Sequence, residues 1–487
     1  MTTSRDGLVA AAAPLRLRER ILYGFGEGGE GVKNTALQTF LLFYYVQVVG
    51  MSGALCGLAL LLALVIDGVT DPAIGAWSDR VRTRIGRRHP FLYTAPLPLG
   101  ISIWLLFSPP VGGSQGALFA WLLFFSLCAR VSMSLYYVPH MALSAELSRD
   151  FNERLSLSTY RMLFTQVGRI VCLAGAFGLF FTPSAGRPNG QLNPDAYLGF
   201  SIFCGVCVAI FVLASALGTQ RRVLGAARAP SGPSAHAPAD ILTSFIQALR
   251  LKNFRRYFVA LLIMYLFSGT QNVLAVHMNT YFWGLTPQQS QFAFYAQIFG
   301  FIAGLPFGRP LAARLDKKWA YCFCVGSSCV AMTLPIVLNL AGVLPGDGQT
   351  PALMGAVLGN LGFGLLGANS GVFSAAMLAD VADEYDLRHN TRAEGLFFGA
   401  IAFSSKASIG LGGAIAGVLL DIIRFPRPPD TSPPSPEIVT HLGIVYGPVL
   451  LVILLAGLSI MFRYDLTREK HAAIASQLAG RDAAGGG

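Results

Sequence analysis

Apolar runs long enough to cross a bilayer as helices, about 20 residues each, recur along the chain with short polar gaps between them. The pattern predicts twelve spans, at residues 21–50, 53–78, 91–107, 118–147, 157–181, 198–217, 257–283, 292–311, 319–343, 352–378, 395–422 and 444–462. Between the sixth and seventh the character changes. Residues 220–239 are polar and rich in Pro, Ser, Ala and Gly, as in a linker. Residues 240–251 then set Ile241, Leu242, Phe245, Ile246 and Leu249 at helical spacing, as in a short amphipathic helix on a membrane surface. The predicted fold is an all-α membrane protein of twelve transmembrane helices in two six-helix halves. Its parts are an N-terminal tail (1–20), a first half (21–218), a linker with the amphipathic helix (219–254), a second half (255–463) and a C-terminal tail (464–487).

Charge gives this pattern an orientation. Alternate gaps carry bases: Arg80, Arg82, Arg84, Arg87 and Arg88 after the second span, Arg149 and Arg154 after the fourth, Arg221 to Arg256 in the middle, Arg314, Lys317 and Lys318 after the eighth, and Arg388 and Arg392 after the tenth. The other gaps carry almost none, with Arg187 alone between the fifth and sixth spans and Arg424 and Arg427 in the last, beside Asp430 and Glu437. The excess of positive charge marks the cytoplasmic side. Both termini are expected there, in a plasma (inner) membrane protein whose first 20 residues lack the apolar core of a cleavable signal peptide. The turn from Gly75 to Arg88 and the one from Gly308 to Lys318 each set a glycine and an aspartate before their bases, which suggests that the halves are copies of one unit.

Composition narrows the function. Of 487 residues 53% are hydrophobic and 13% charged, so a soluble enzyme is excluded. The net charge of +11 sits in the loops rather than along a groove, and no nucleic-acid partner is expected. Eight cysteines all lie in apolar stretches, where Cys204 and Cys207 read as small packing residues rather than half a metal site. No hydrolase elbow, P-loop or HExxH sequence occurs. Partners are then the lipid bilayer, a small-molecule substrate and a coupling cation, Na+ or H+, with no other cofactor and a monomer as the working unit.

Ionisable residues inside apolar spans are costly and face a partner or a wet cavity. Asp67 and Asp71 lie four apart in the second span, on one helical face, with Thr70 between them. Such oxygen donors suit a hard cation such as Na+, or a proton; the bland alternative is capping or a structural network. Glu30 and Lys33 in the glycine-rich first span are a local ion pair or substrate contacts. Glu27 is closest to the cytoplasmic end, and contact with water is its bland reading. Arg130 in the fourth span needs a carboxylate, and Asp67, Asp71 and Glu30 are the candidates. The fifth span adds Arg161 and Arg169, and the seventh adds His277 beside Asn272 and Asn279. Lys406 is a lone charge in an otherwise small and apolar stretch of the eleventh.

The second-span motif, Asp67-x-x-x-Asp71-Pro72-x-x-Gly75 with its arginine-rich turn, resembles the glycoside-pentoside-hexuronide cation symporters, the melibiose permease group of the major facilitator superfamily. Tyr23-Gly-Phe-Gly, Val138-Pro139, Tyr160-Arg161, Ala379-Asp380-x-x-Asp383, Asn390-x-Arg392-x-Glu394 and Lys406 fit in order. The resemblance implies the major facilitator fold, with Asp67, Thr70, Asp71 and Ser134 at the cation site and Arg161 and Lys406 near the sugar. The two carboxylates that hold the sugar in melibiose permease fall at Gly31 and Tyr137 here, with Glu30 one position off and about 100° around the helix. The expected substrate residues are Glu30, Lys33, Arg130, Tyr137, Arg161, His277 and Lys406. The expected activity is cation-coupled symport of a glycoside. The same signatures resemble the lysophospholipid symporters, which carry an amphipathic cargo, and a receptor that binds without transporting is the remaining alternative.

Overall fold

A computed structural model describes residues 14–110, 112–148, 150–183, 189–225, 245–343, 349–390, 394–428 and 434–485. The expectations attached to Arg149, Arg187, Arg392, Asp430 and most of the linker (226–244) lie outside the described residues. Within them the helical segments line up as α1 (17–48), α2 (Gly53–Arg80), α3 (89–106), α4 (Gln115–Leu147), α5 (151–180), α6 (Pro194–Gly225), α7 (252–282), α8 (287–314), α9 (Lys317–Leu340), α10 (349–389), α11 (Glu394–Ile422), α12 (436–461) and α13 (Arg468–Gly485). Nine are long and apolar enough to cross a membrane. The three others of the first twelve, α1, α3 and α8, are broken by glycine, proline or widened turns.

Two helices outrun their predicted ends. α6 continues to Gly225 rather than stopping near 217, because a helix need not end where the apolar run does and Arg221 and Arg222 are ordinary helix formers. α10 continues to His389, carrying Asp380, Asp383, Glu384 and Asp386 beyond the apolar run, and ends on Asn390 in the left-handed conformation (φ 53°). The carboxylates of this extension hold bases from elsewhere: Lys317 lies 2.6 Å from Asp380, and His471 and Arg481 of α13 lie 2.9 Å from Asp383 and Asp386. The C-terminal stretch is therefore a helix fastened to the end of the second half that carries the basic loops.

The halves meet along α2 and α11 and along α1 and α7. At the α2–α11 seam the backbones touch: a methyl group on Gly417 would overlap the Gly53 carbonyl, and one on Gly57 would overlap Ala414. Small residues permit such an approach, and it buries helix against helix where no hydrophobic effect separates protein from lipid. Ser52 and the amides of Gly53 and Ala54 donate to the Asp421 carboxylate at 2.8–3.1 Å, tying the same ends together.

At the α1–α7 seam one backbone device appears twice. Residues Tyr44–Val48 and Met278–Phe282 form widened turns, and each is followed by a glycine with positive φ, Gly50 (82°) and Gly284 (60°). The closing bonds match, with Met51 N–H donating to Tyr45 O at 2.8 Å and Leu285 N–H to Asn279 O at 2.9 Å. Across the seam Tyr281 O–H donates to Gln47 Oε1 at 2.9 Å, between residues 234 positions apart. The same spacing separates Phe43 from His277, whose rings meet edge to face at 5.0 Å. Equivalent positions of the two halves thus touch each other. All these contacts lie on the face away from the basic loops, and they close it. Towards the basic face α2 carries Trp77, which is 56% exposed and meets Phe91 of α3 edge to face at 5.0 Å.

Candidate functional site

Where the seam gives way, at the middle depth of the spans, the charges gather. α2 stacks Asp67 and Asp71 one turn apart, and Pro72, which follows them, removes a helical N–H. Ser134 of α4 donates to both acids, to Asp67 Oδ1 at 3.1 Å and to Asp71 Oδ1. From the other half Lys406 places its ammonium on Asp71 Oδ2, 3.5 Å from Asp67 Oδ2. Arg130, one turn before Ser134, stands 3.7 Å from Asp67 Oδ2. Asp67 is buried, and the two cations offset the cost of placing it there. Thr70 does not join this cluster: its hydroxyl donates to the Asp67 backbone carbonyl at 3.1 Å.

The cluster forms one end of a cavity of ≈190 Å³ lined by Glu30, Lys33, Asn34 and Gln38 of α1, Arg130, Ser134 and Tyr137 of α4, and Lys406. Leu37, Leu41, Leu60, Leu64, Met133 and Val273 supply apolar wall. Glu30 accepts from Lys33 at 3.2 Å and from Asn34 at 2.7 Å, so the local ion pair forms and also faces the cavity. An apolar shell with a few convergent polar groups is the usual make-up of a small-molecule site.

Besides Thr70, the positions of Glu27, Arg161 and His277 depart from expectation. Glu27 is not wet: it is 3% exposed, and Arg161 donates to its Oε1 through Nε at 2.7 Å and Nη2 at 2.6 Å. His140 adds its Nδ1 at 3.4 Å from the same oxygen and is stacked between Tyr23 and Tyr136, with ring centroids at 4.4 and 4.9 Å. Arg161 is thus committed to a buried carboxylate behind the cavity wall and touches the site through Tyr137, whose ring centre lies 5.7 Å from its guanidinium carbon. Lys406 approaches the same ring at 5.9 Å. His277 is a further correction. It is fully buried at the α1–α7 seam among Phe43, Tyr281 and Phe425, with neither ring nitrogen hydrogen-bonded, and it does not line the cavity.

The group that sequence reasoning passed over is Glu27 with His140. The available signal was spacing, since Glu27 and Glu30 are three apart and share a helical face. Gly31 also finds its reason here: α1 and α5 touch so closely that any side chain at 31 would overlap the Thr165 carbonyl oxygen.

Comparison with known proteins gives this arrangement a context. The family model described as MFS/sugar transport protein matches residues 22–468. A putative glycoside/cation symporter of Escherichia coli is 26% identical over 97% of this chain and 97% of its own. An isoprimeverose transporter of Lactiplantibacillus pentosus is 26% identical over 82% of this chain and 79% of its own. Among solved structures a D-xylose–proton symporter superposes with a TM-score of 0.58 at 13% identity, covering 92% of this chain and 97% of that one, and so shares the fold.

Proposed function

Because the chain belongs to the MFS/sugar transport protein family, and is a membrane transporter rather than an enzyme, we propose that it carries a glycoside across the membrane together with Na+ or H+. One observation carries this reading: the Lys406 ammonium rests on Asp71, between carboxylates that a coupling cation would use. In this state an internal cation holds the site. An ion or proton reaching Asp67 and Asp71 releases Lys406, whose freed charge then swings over Tyr137 towards the cavity. Ion and substrate therefore favour each other, and by linkage the effect is reciprocal. With both bound, the halves rock about the central site and the closed face opens.

In the proposed orientation the basic loops and both termini face the cytoplasm of a plasma (inner) membrane, a reading supported by the excess of positive charge in those loops. A monomer is the proposed working unit, with a small-molecule substrate and the coupling cation as its partners. The deciding experiment is sugar uptake into proteoliposomes under a Na+ or a pH gradient. Asp71→Asn is expected to abolish uphill uptake while sparing downhill exchange; uphill uptake that persists with its ion dependence intact overturns the assignment.

A further inference from the structure

A second titratable cluster lies behind the cavity wall, apart from Asp67 and Asp71. His140 is fully buried, and each of its ring nitrogens faces an acceptor: Nε2 lies 3.1 Å from the Tyr23 carbonyl oxygen and Nδ1 3.4 Å from Glu27 Oε1. A neutral imidazole carries one N–H and one lone pair. Ser215 does not make up the difference, because its hydroxyl stands 3.3 Å from both the Tyr23 carbonyl oxygen and Nε2 and has a single proton to give. With the ring proton on Nε2, Nδ1 turns a lone pair to the carboxylate; with it on Nδ1, Nε2 turns one to the carbonyl. The neutral ring is therefore one proton short of its surroundings, and Nδ1 is left buried without a completed hydrogen bond.

The surroundings suit the missing proton. The ring is stacked on Tyr23 and Tyr136 at 4.4 and 4.9 Å, and the faces of phenol rings attract a cation. Glu27 of α1 offers negative charge. Against the proton stands Arg161 of α5, which donates to the same Oε1 through Nε at 2.7 Å and Nη2 at 2.6 Å. α3 adds His89, bonded to Thr219 of α6 at 3.2 Å, and Arg88, held by Glu146 at 2.7 Å. Ser215 and Thr219 of α6 carry no charge. Arg161 thus decides the occupancy. Its guanidinium carbon lies 5.7 Å from the centre of the Tyr137 ring, which lines the cavity. Turned to that side, Arg161 strips Glu27 of its counter-charge, and His140 is the neighbour left to supply one.

We infer that His140 and Glu27 form a proton-binding site of their own, filled when Arg161 leaves Glu27 for the cavity and emptied when it returns. The charges balance: one guanidinium leaves the carboxylate and one proton enters, bound to Nδ1 and donated to Oε1. This rests on the transport reading and deepens it, since a substrate that draws Arg161 out takes up H+ at a place separate from Asp67 and Asp71.

The test reads the ring directly. His140 follows Pro139 in the only Pro-His step of the sequence, so labelled proline and histidine single it out by NMR of the full chain in nanodiscs, where ring nitrogen shifts tell an imidazolium from a neutral ring. At pH 7 Arg161→Gln is expected to raise the ratio of charged to neutral ring at least about tenfold over the wild type, and adding Glu27→Gln to cancel the rise. An unchanged ratio in Arg161→Gln, or a rise that survives loss of the carboxylate, overturns the inference. Should Arg161→Gln not fold at pH 7.5, folding recovered at pH 5.5 supports the site, since a proton bound more tightly by the folded state stabilises it as pH falls; folding at neither pH counts against it. In proteoliposomes with methyl β-D-xyloside as the probe, the protons moved per sugar should fall by one in His140→Phe, and an unchanged ratio refutes the site. Failure of the wild type to move any glycoside sinks the transport reading alone, and the ring measurement still decides this one.

Discussion

Lys406 and Asp71, 335 positions apart, form an ion pair across the seam between the halves. The pair makes the empty-handed transporter electrically self-sufficient, and it sets a competition. Lys406→Met is expected to tighten ion binding about tenfold, or about 1.4 kcal/mol, because the ion no longer displaces an ammonium, while uphill uptake falls. The ion concentration that gives half-maximal thermal stabilisation measures this, and an unchanged value would show that the ammonium does not compete.

Glu27 and Arg161 are buried together, and breaking such a pair leaves a charge uncompensated. Glu27→Gln is expected to cost about 3–5 kcal/mol, read as a lowered melting temperature in detergent. Adding Arg161→Gln should recover a large part of it. A double variant no more stable than the single one would mean that the carboxylate serves something other than Arg161.

At Gly31 the α1 backbone has no space for a side chain. Gly31→Ala should push α1 from α5 at a cost of about 1–3 kcal/mol. The melting temperature reports it; a variant as stable as the wild type would show that the two helices give way freely.

His277 predicts the opposite sign. Both its ring nitrogens are buried without a hydrogen bond, so His277→Leu should be neutral or stabilising by up to about 1–3 kcal/mol, with uptake retained. Loss of uptake at unchanged stability would return this residue to the substrate path.

Gln47 and Tyr281 hold the closed face. Cysteines at both positions, joined by a spacer reagent, should stop uptake while leaving substrate access from the basic side. Uptake that continues after complete joining would mean that the seam stays shut throughout transport.

Much of this was legible in sequence because hydrocarbon is an unforgiving solvent. Lys406, Asp67 and Asp71 stand out since each breaks an apolar run, and a charge there must find a partner. The identity of partners was harder. Arg161 meets Glu27 across 134 positions, and nothing in spacing along one helix reports the angle at which another crosses it. Thr70 sits in the motif yet turns to its own backbone, because a hydroxyl in a helix has that option and a carboxylate does not. The repeat of the halves was weak at the basic turns and clear at Gly50 and Gly284. There the matching feature is a backbone conformation, and the side chains around it, Tyr-Tyr-Val-Gln-Val against Met-Asn-Thr-Tyr-Phe, conceal it.

The two contacts at the α1–α7 seam, Phe43 with His277 and Gln47 with Tyr281, join each position to its own counterpart. In a symmetric homodimer only residues on the rotation axis can do this. A half-length chain with this first helix would meet its own copy there, and one substitution would alter both sides of the joint together. Joined in a single polypeptide, the two sides are free to differ, and the seam can become a lock with unlike parts: an aromatic ring against an imidazole, an amide against a phenol.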